Sequence, residues 1–466
     1  MNSFDETIAA LSSAPGKAGV AVIRISGDDA IECVSRVFFS KSGKALQSCM
    51  ARTAIYGEII CDGVKIDTGL CTIFKAPNSY TGEDTCEICV HGSEVGTAML
   101  LSALYQNGAR PAQAGEFTKR AFLNGKLTLS QAEAVGELID AQSRGAQILS
   151  NAQVNGALSV KIDALCSKLN EILSSIYAFI DYPDEDLTDM SKEEIVLAVK
   201  QVLCEVERLV QGYDVGRAIS EGIACTIAGS PNVGKSSFLN FLCGKDRAIV
   251  TDIAGTTRDV ITEAVSIGNV RLNLADTAGI REKESDTDDE IEKIGIRRSV
   301  EQIEVCEVVF ALFDASRPLD SADLAFLNSI TGYEKNKNVI YILNKCDKSD
   351  ICKQTQEKFS NKQNVVLFSA KSGQGLDKLK GIIERLYPVG NGQLQEGLII
   401  SSARQYASLC QAKQSLEQAL DTLNAYTGDL AGFDLEKAFE LLGQTDGRSV
   451  NEQIVSQIFS RFCVGK

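Results

Sequence analysis

Residues 229–236 read Gly-Ser-Pro-Asn-Val-Gly-Lys-Ser, the pattern G-x-x-x-x-G-K-[ST]. An apolar run precedes it and a helical segment, 237–242, follows, the setting in which this pattern cradles phosphate. Glycines let backbone amides turn toward a phosphate, and the helix start adds partial positive charge. Asn232, Val233, Gly234, Lys235, Ser236 and Ser237 are the expected phosphate-binding stretch. Lys235 should reach the β- and γ-phosphates, and Ser236 should ligate Mg2+. Three further strings occur in order: Asp276-Thr277-Ala278-Gly279, Asn344-Lys345-Cys346-Asp347 and Ser369-Ala370-Lys371. Asp276 can hold Mg2+ through water, and the Gly279 amide can sense a γ-phosphate. The Asp347 carboxylate can accept two N–H donors from the edge of guanine, a pair that adenine lacks. Ser369, Ala370 and Lys371 would back the base. Each string follows an apolar strand, and four such loops make the nucleotide crevice of a parallel sheet. GTP is the expected ligand.

Hydrolysis is less plainly written. Ile280 follows Gly279, where small switch GTPases often place the Gln that orients water, and no arginine finger is visible. Asn232 and the run Thr251-Asp252-Ile253-Ala254-Gly255-Thr256-Thr257-Arg258-Asp259 offer neutral oxygens that suit a monovalent cation beside the phosphates. The same run can instead be a loop that supplies only Thr257 to Mg2+, and residue types leave both readings open.

Other reactive side chains point less sharply. One C-x-x-C occurs, Cys86 to Cys89, in an expected strand, where positions three apart face opposite ways. The single His91 excludes a His-rich metal site. Cys463 near the end of the chain is a tempting nucleophile, yet no base lies near it in sequence, and packing is the favoured reading.

The elements that position these loops follow from periodicity. Strands are expected at 224–228, 270–274, 308–313, 339–343 and 365–368, alternating with helical segments, as in a doubly wound sheet. An earlier α/β segment, 1–118, has strands at 19–27, 56–63, 69–74 and 86–90 and a helix at 93–106. Ser130-x-x-Glu133 reads as a capping box. Leu158, Ile162, Leu165, Leu169, Ile172 and Ile176 form one stripe of a long helix. Ser191-x-x-Glu194 opens the next, with Ile195, Val199, Val202, Val206 and Leu209 as its stripe and Gly212 as its stop. Helices return at 402–424, at 434–442 and after Ser449-x-x-Glu452. The two helical blocks are each too thin to stand alone, so 216–385 reads as an insertion between parts of one helical domain. The run 281–292 carries seven acids and two bases and reads as a solvated loop.

The 466 residues allow roughly three domains. A net charge of −15 argues against coating nucleic acid through bulk charge. No window nears the ~18 apolar residues of a membrane span, and the first ten residues carry two acids and no base, unlike a signal peptide. With 15 Cys at irregular spacing, a reduced, cytoplasmic setting without a membrane partner is expected.

The phosphate-binding string, the run 251–259, Asp276-Thr-Ala-Gly-Ile-Arg-Glu282 and the terminal Phe462-Cys463-Val464-Gly465-Lys466 occur together with Asn78-Ser-Tyr-Thr-Gly-Glu-Asp84 and Gly115-Glu-Phe-Thr-x-Arg-Ala-Phe-Leu-Asn-Gly-Lys126. With these strings the chain resembles, along essentially its whole length, the tRNA modification GTPases of the MnmE/TrmE type. The resemblance implies an α/β plus α fold: an N-terminal α/β folate-binding and dimerisation domain (1–118), a discontinuous helical domain (119–215 and 386–466) and an inserted doubly wound P-loop G domain (216–385). It implies a homodimer whose G domains meet across their nucleotides to hydrolyse GTP in a K+-dependent way. Asn232, Thr251, Ile253 (through its carbonyl) and Thr256 match the K+ shell, Ser236 and Thr257 the Mg2+ ligands, and Glu292 the water-orienting acid. The loop from Gly279 to Glu292 is longer here than in the family's pattern. Arg24, Glu87, Lys126 and Lys466 fall where the family contacts a tetrahydrofolate in its 5-formyl or methylene form. The implied reaction modifies carbon 5 of the wobble uridine of certain tRNAs, with a flavoprotein partner of the MnmG/GidA type. Two other readings are a GTPase switch acting in ribosome assembly, against which the acidic balance speaks, and a folate-dependent transferase with an idle G domain, against which the intact Lys235, Asp276 and Asp347 speak.

Overall fold

The computed structural model describes residues 6–181, 190–245, 263–275, 303–348, 353–388, 390–425, 428–448 and 450–466. The chain divides into two compact units. One comprises Met1–Gly136, Val154–Asn170 and Glu436–Lys466, and the other Glu137–Gln153 and Glu171–Leu435.

The first unit is built on seven strands: β1 (Ile8–Leu11), β2 (Ala18–Ser26), β3 (Phe38–Ser40), β4 (Ala54–Cys61), β5 (Val64–Phe74), β6 (Thr85–Gly92) and β7 (Arg110–Pro111). Their order is β3-β4-β5-β6-β2-β1-β7, and only β1 and β7 pair in parallel. Two helices, α1 (Ala30–Ser35) and α2 (Glu94–Gln106), cover one face. Alternate strand residues such as Ile23, Ile25, Ile73 and Ile88 meet Leu100 and Leu104 of α2 in a closed core, as a period of two requires. The four strands and the helix expected here from sequence are all present; β1, β3 and β7 are additional.

Six helices follow: α3 (Glu116–Leu123), α4 (Leu129–Asp140), α5 (Arg144–Val154), α6 (Ala157–Asp181), α7 (Lys192–Gln211) and α8 (Tyr213–Ser220). The expected apolar stripes of α6 and α7 are buried at every named position. The Ser191–Glu194 capping box opens α7. The capping box expected at Ser130 is not formed. Ser130 lies inside α4 and donates to the Thr445 carbonyl at 2.9 Å. The reciprocal pair is Thr128 with Gln131: each side chain accepts from the other's amide, at 3.2 and 3.0 Å. Gly212 ends α7 but keeps an ordinary right-handed backbone, and α8 starts at the next residue.

The second unit holds a six-stranded sheet made of β8 (Ile223–Gly229), β9 (Glu263–Ile267), β10 (Val270–Leu274), β11 (Val308–Asp314), β12 (Asn338–Asn344) and β13 (Val365–Leu367). The order is β13-β12-β11-β8-β10-β9, parallel except for the β9–β10 hairpin. Its helices are α9 (Lys235–Lys245), α10 (Ser321–Thr331), α11 (Lys353–Lys358) and α12 (Leu376–Leu386). All seven residues of β11 are buried, as a strand covered on both faces must be. Val308, Phe310 and Leu312 face Phe238, Leu239, Leu379 and Ile383 of α9 and α12. Val309, Ala311 and Phe313 face Leu327, Ile330 and Phe359. The five strands expected from sequence are present within a residue or two; β9 was not expected.

Four helices complete the chain: α13 (Asn391–Glu396), α14 (Ala403–Ala425), α15 (Gly428–Asp446) and α16 (Glu452–Phe459). The expected cap Ser449 lies outside the described residues. The helix is instead capped by Asn451, whose side chain accepts from the Gln453 amide at 3.0 Å. Among the described residues no helix is long and apolar enough to cross a membrane.

Phe310 is fully buried and meets the Phe238 ring edge-on at 5.7 Å. Phe310→Ala should remove about 3–5 kcal/mol from the second unit, seen as a lower denaturant midpoint in nucleotide-free protein.

Candidate functional site

The C-terminal ends of β8, β11, β12 and β13 open at one edge of the second sheet. The loop after β8 carries Asn232 on a left-handed backbone, φ +62, and Gly234 at φ +95. A Cβ on Gly234 would run into the Asn344 amide nitrogen, so this position needs glycine for space as well as for conformation. Lys235, first residue of α9, turns its ammonium back onto the Gly229 and Ser230 carbonyls at 2.8 and 3.0 Å. Burial lowers its pKa, which is the environment an arriving phosphate would relieve. Ser236 and Ser237 stand in the first turn of the same helix.

The base side of the crevice is tied to this loop. Asn344 donates to the Val233 carbonyl at 2.9 Å and accepts from the Ala370 amide at 3.2 Å. Lys345 donates to the Asn232 carbonyl and to Asp314, both at 2.7 Å. Ser369, fully buried, donates to Asp347 Oδ1 at 2.8 Å. That hydrogen bond leads the causes that hold the Asp347 carboxyl below its ordinary value, so it is an anion ready to accept from N–H donors at neutral pH. Asp347 and Lys371 are exposed at the mouth. The structure therefore gathers Asn232, Val233, Gly234, Lys235, Asn344, Lys345, Asp347, Ser369 and Ala370. Thr251, Asp252, Ile253, Ala254, Gly255, Thr256, Thr257, Asp276, Thr277, Ala278, Gly279 and Glu292 lie outside the described residues, as does the acidic run 281–292.

A second cluster lies in the first unit. Arg24 and Glu87 are opposite each other in the β2–β6 ladder, and Arg24 Nε donates to Glu87 Oε1 at 2.9 Å. The Arg24 guanidinium lies over the Tyr80 and Phe117 rings, 5.1 and 5.6 Å from their centroids. The Tyr80 hydroxyl pairs with Thr118 at 3.0 Å. Lys126 reaches the same loop by donating to the Pro77 carbonyl at 2.9 Å. The end of the chain comes to this cluster: the Phe117 amide donates to the Lys466 carbonyl at 3.2 Å, and Ala114 bridges Val464. Cys463 is exposed, which corrects the expectation that it is packed; its main chain docks, with the Gly115 amide donating to its carbonyl at 3.4 Å.

Sequence reasoning noticed the strings around Tyr80 and Phe117 but gave those rings no role. It also missed the ion network that fixes both strings. Arg120, 1% exposed, donates to Glu83 at 3.0 Å and to Glu116 at 3.1 Å, and Arg110 donates to Glu116 at 2.9 Å. Burial pushes the Glu116 carboxyl up, but the bonds from Arg110, the Gln113 amide and Arg120 outweigh it and hold it below its usual value. The signal in the sequence was the acids Glu83 and Glu116 of the two strings, with Arg120 in the second and Arg110 just before it.

Comparison with known proteins assigns the family. The description "MnmE helical domain" fits residues 129–463, and "GTP-binding protein TrmE N-terminus" fits residues 7–126. The chain belongs to the MnmE family. Similar MnmE proteins, each named a tRNA modification GTPase, include one from Thermoanaerobacter pseudethanolicus, 38% identical over 99% of both chains. The MnmE of Clostridioides difficile is 39% identical over 99% of this chain and all of its own. Among solved structures, Aquifex aeolicus Era bound to GDP and aluminium fluoride matches 41% of this chain and 66% of its own at 26% identity, with a TM-score of 0.28.

If Asp347 reads the guanine edge, Asp347→Asn should weaken GTP binding by roughly 100-fold, because the amide loses one acceptor and the charge behind the other, and should raise affinity for XTP, whose 2-oxo group an amide can serve. Titration with both nucleotides checks this, and unchanged GTP preference would remove the specificity argument.

Proposed function

We propose that this GTPase of tRNA modification is a K+-dependent GTP hydrolase that works with a flavoprotein partner of the MnmG/GidA type. Together they add an aminomethyl or carboxymethylaminomethyl group at carbon 5 of the tRNA wobble uridine, with a tetrahydrofolate as one-carbon donor. The protein acts as a cytoplasmic homodimer whose G domains meet across their nucleotides. The domain division 1–118, 119–215 with 386–466, and 216–385 belongs to the same proposal.

In the nucleotide half, Lys235 exchanges the carbonyls of Gly229 and Ser230 for phosphate oxygens. Ser236 and Thr257 hold Mg2+, which offsets phosphate charge. Asn232, Thr251, the Ile253 carbonyl and Thr256 hold K+, which supplies the positive charge an arginine finger brings elsewhere. The exposed Asn232, on its left-handed backbone with its carbonyl held by Lys345, fits a neutral oxygen ligand. Glu292 orients the attacking water. Asp276 and the Gly279 amide sense the γ-phosphate.

The observation that carries the uridine half is the Arg24–Glu87 pair, with the Arg24 guanidinium over the Tyr80 and Phe117 rings, beside Lys466. A GTPase switch alone has no use for a carboxylate and a cation set against two aromatic rings. A pterin edge offers paired N–H donors that Glu87 can accept, and Arg24, Lys126 and Lys466 suit the carboxylates of a folate tail.

Two tests separate the halves. Glu87→Gln should weaken binding of 5-formyl-tetrahydrofolate to the full chain about tenfold, the loss of one charge-assisted bond, with GTP turnover unchanged; equal folate affinity in calorimetry would defeat the folate reading. Asn232→Ala should abolish the excess of the GTPase rate in KCl over NaCl while sparing GDP affinity. Equal wild-type rates in the two salts would end the potassium claim.

A further inference from the structure

The acid that closes β11 has no part in the four nucleotide loops, yet it touches one of them. Asp314 is the last residue of β11 and sits opposite Asn344 in the parallel ladder with β12. This register brings its carboxylate beside Lys345, the residue after Asn344. The side chain is 7% exposed. One oxygen is fixed by Ser316, which donates from its amide at 2.9 Å and its hydroxyl at 2.6 Å. The other takes the Lys345 ammonium at 2.7 Å. The same ammonium holds the Asn232 carbonyl at 2.7 Å. Carboxylate, ammonium and carbonyl thus form one rail from the end of β11, through the base-recognition loop, to the phosphate-binding loop. Lys345 (φ +64) and Asn232 (φ +62) both have left-handed backbones; asparagine adopts this region readily, but a lysine does so rarely, and here its surroundings hold it there. A lysine with no anion partner keeps its rotamer freedom.

We propose that Asp314 is a positioning residue for GTP binding: fixed by Ser316, it anchors the Lys345 ammonium and through it sets the Asn232 carbonyl before the nucleotide arrives. The proposal rests on reading this crevice as the GTP site. The carboxylate touches no reacting atom. Its effect is on how much of the site is assembled in the free protein, so it belongs to affinity and not to the chemical step.

Asp314→Asn is the test because the amide keeps an oxygen for Ser316 and the same shape but loses the charge. Steady-state GTPase kinetics of the full chain should show KM for GTP raised about tenfold, with kcat at saturating GTP within twofold of wild type. Asp314→Glu, which restores a carboxylate, should recover part of that affinity. A merely structural role would lower kcat through loss of folded enzyme and leave KM unmoved; that result, or wild-type values for both, overturns the proposal. Ser316→Ala leaves the charge and removes the hydroxyl, one of the two donors that anchor it. It should raise KM about threefold, and it decides the matter if Asp314→Asn does not fold, with an unmoved KM counting against. A wild-type chain that binds no GTP would defeat the nucleotide reading itself, whereas GTP-competent wild type with an indifferent Asp314→Asn defeats this proposal alone.

Discussion

The nucleotide edge of the second sheet depends on one buried amide. Asn344, 2% exposed, gives its nitrogen to the Val233 carbonyl and its oxygen to the Ala370 amide. Leaving either end unpaired would cost about 1–3 kcal/mol, so three loops that are far apart in sequence share one arrangement. The glycine at 234 follows from this, since any larger residue would displace the amide. So does the position of Asp347, which hangs from the same β12 end and is turned by Ser369. The parallel sheet supplies the frame, and this side chain selects among the loop conformations the frame would allow.

How much of this could be read from the residues alone differs by level. The parallel strands were legible because strands buried on both faces are continuous apolar runs, as 308–313 and 339–343 are. Strand β9 was not, because Glu263-Ala-Val-Ser-Ile267 is short and half polar, and β7 has only two residues. The misplaced cap of α4 shows a different limit. Thr128/Gln131 and Ser130/Glu133 both fit the capping pattern two residues apart, and the carbonyl of Thr445, distant in the chain, claims Ser130. Tertiary contact decided between two equal local signals.

The same division holds at the sites. The chemical types at Lys235, Asn344, Asp347 and Ser369 were readable, because phosphate and guanine demand them. Their partners were not. Asn344 to Val233 spans 111 positions, and Lys345 to Asp314 spans 31. In the first unit, the strings around 80 and 117 look like ligand-binding motifs, and part of each is structural: Arg120 pairs with both Glu83 and Glu116 in a place where an unpaired charge could not stay. Arg24, Glu87 and Tyr80 remain as a half-buried group of charge and ring, with the fully buried Phe117 packed against Arg24.

The last residues of the chain are woven into its first sheet. Ser12 donates to the Gly465 carbonyl across 453 positions at 2.9 Å, and Gly465, at φ +100, lies so close to Leu11 that no Cβ would fit. Domains generally fold during synthesis from the N-terminus onward. Here the opening strands leave the ribosome early, yet Leu11 and Ser12 meet Gly465 only after it too has been made, 453 positions beyond Ser12. The first unit, whose segments lie on both sides of the nucleotide sheet in the sequence, therefore closes through contacts of long sequence separation, which carry a high loop-closure cost.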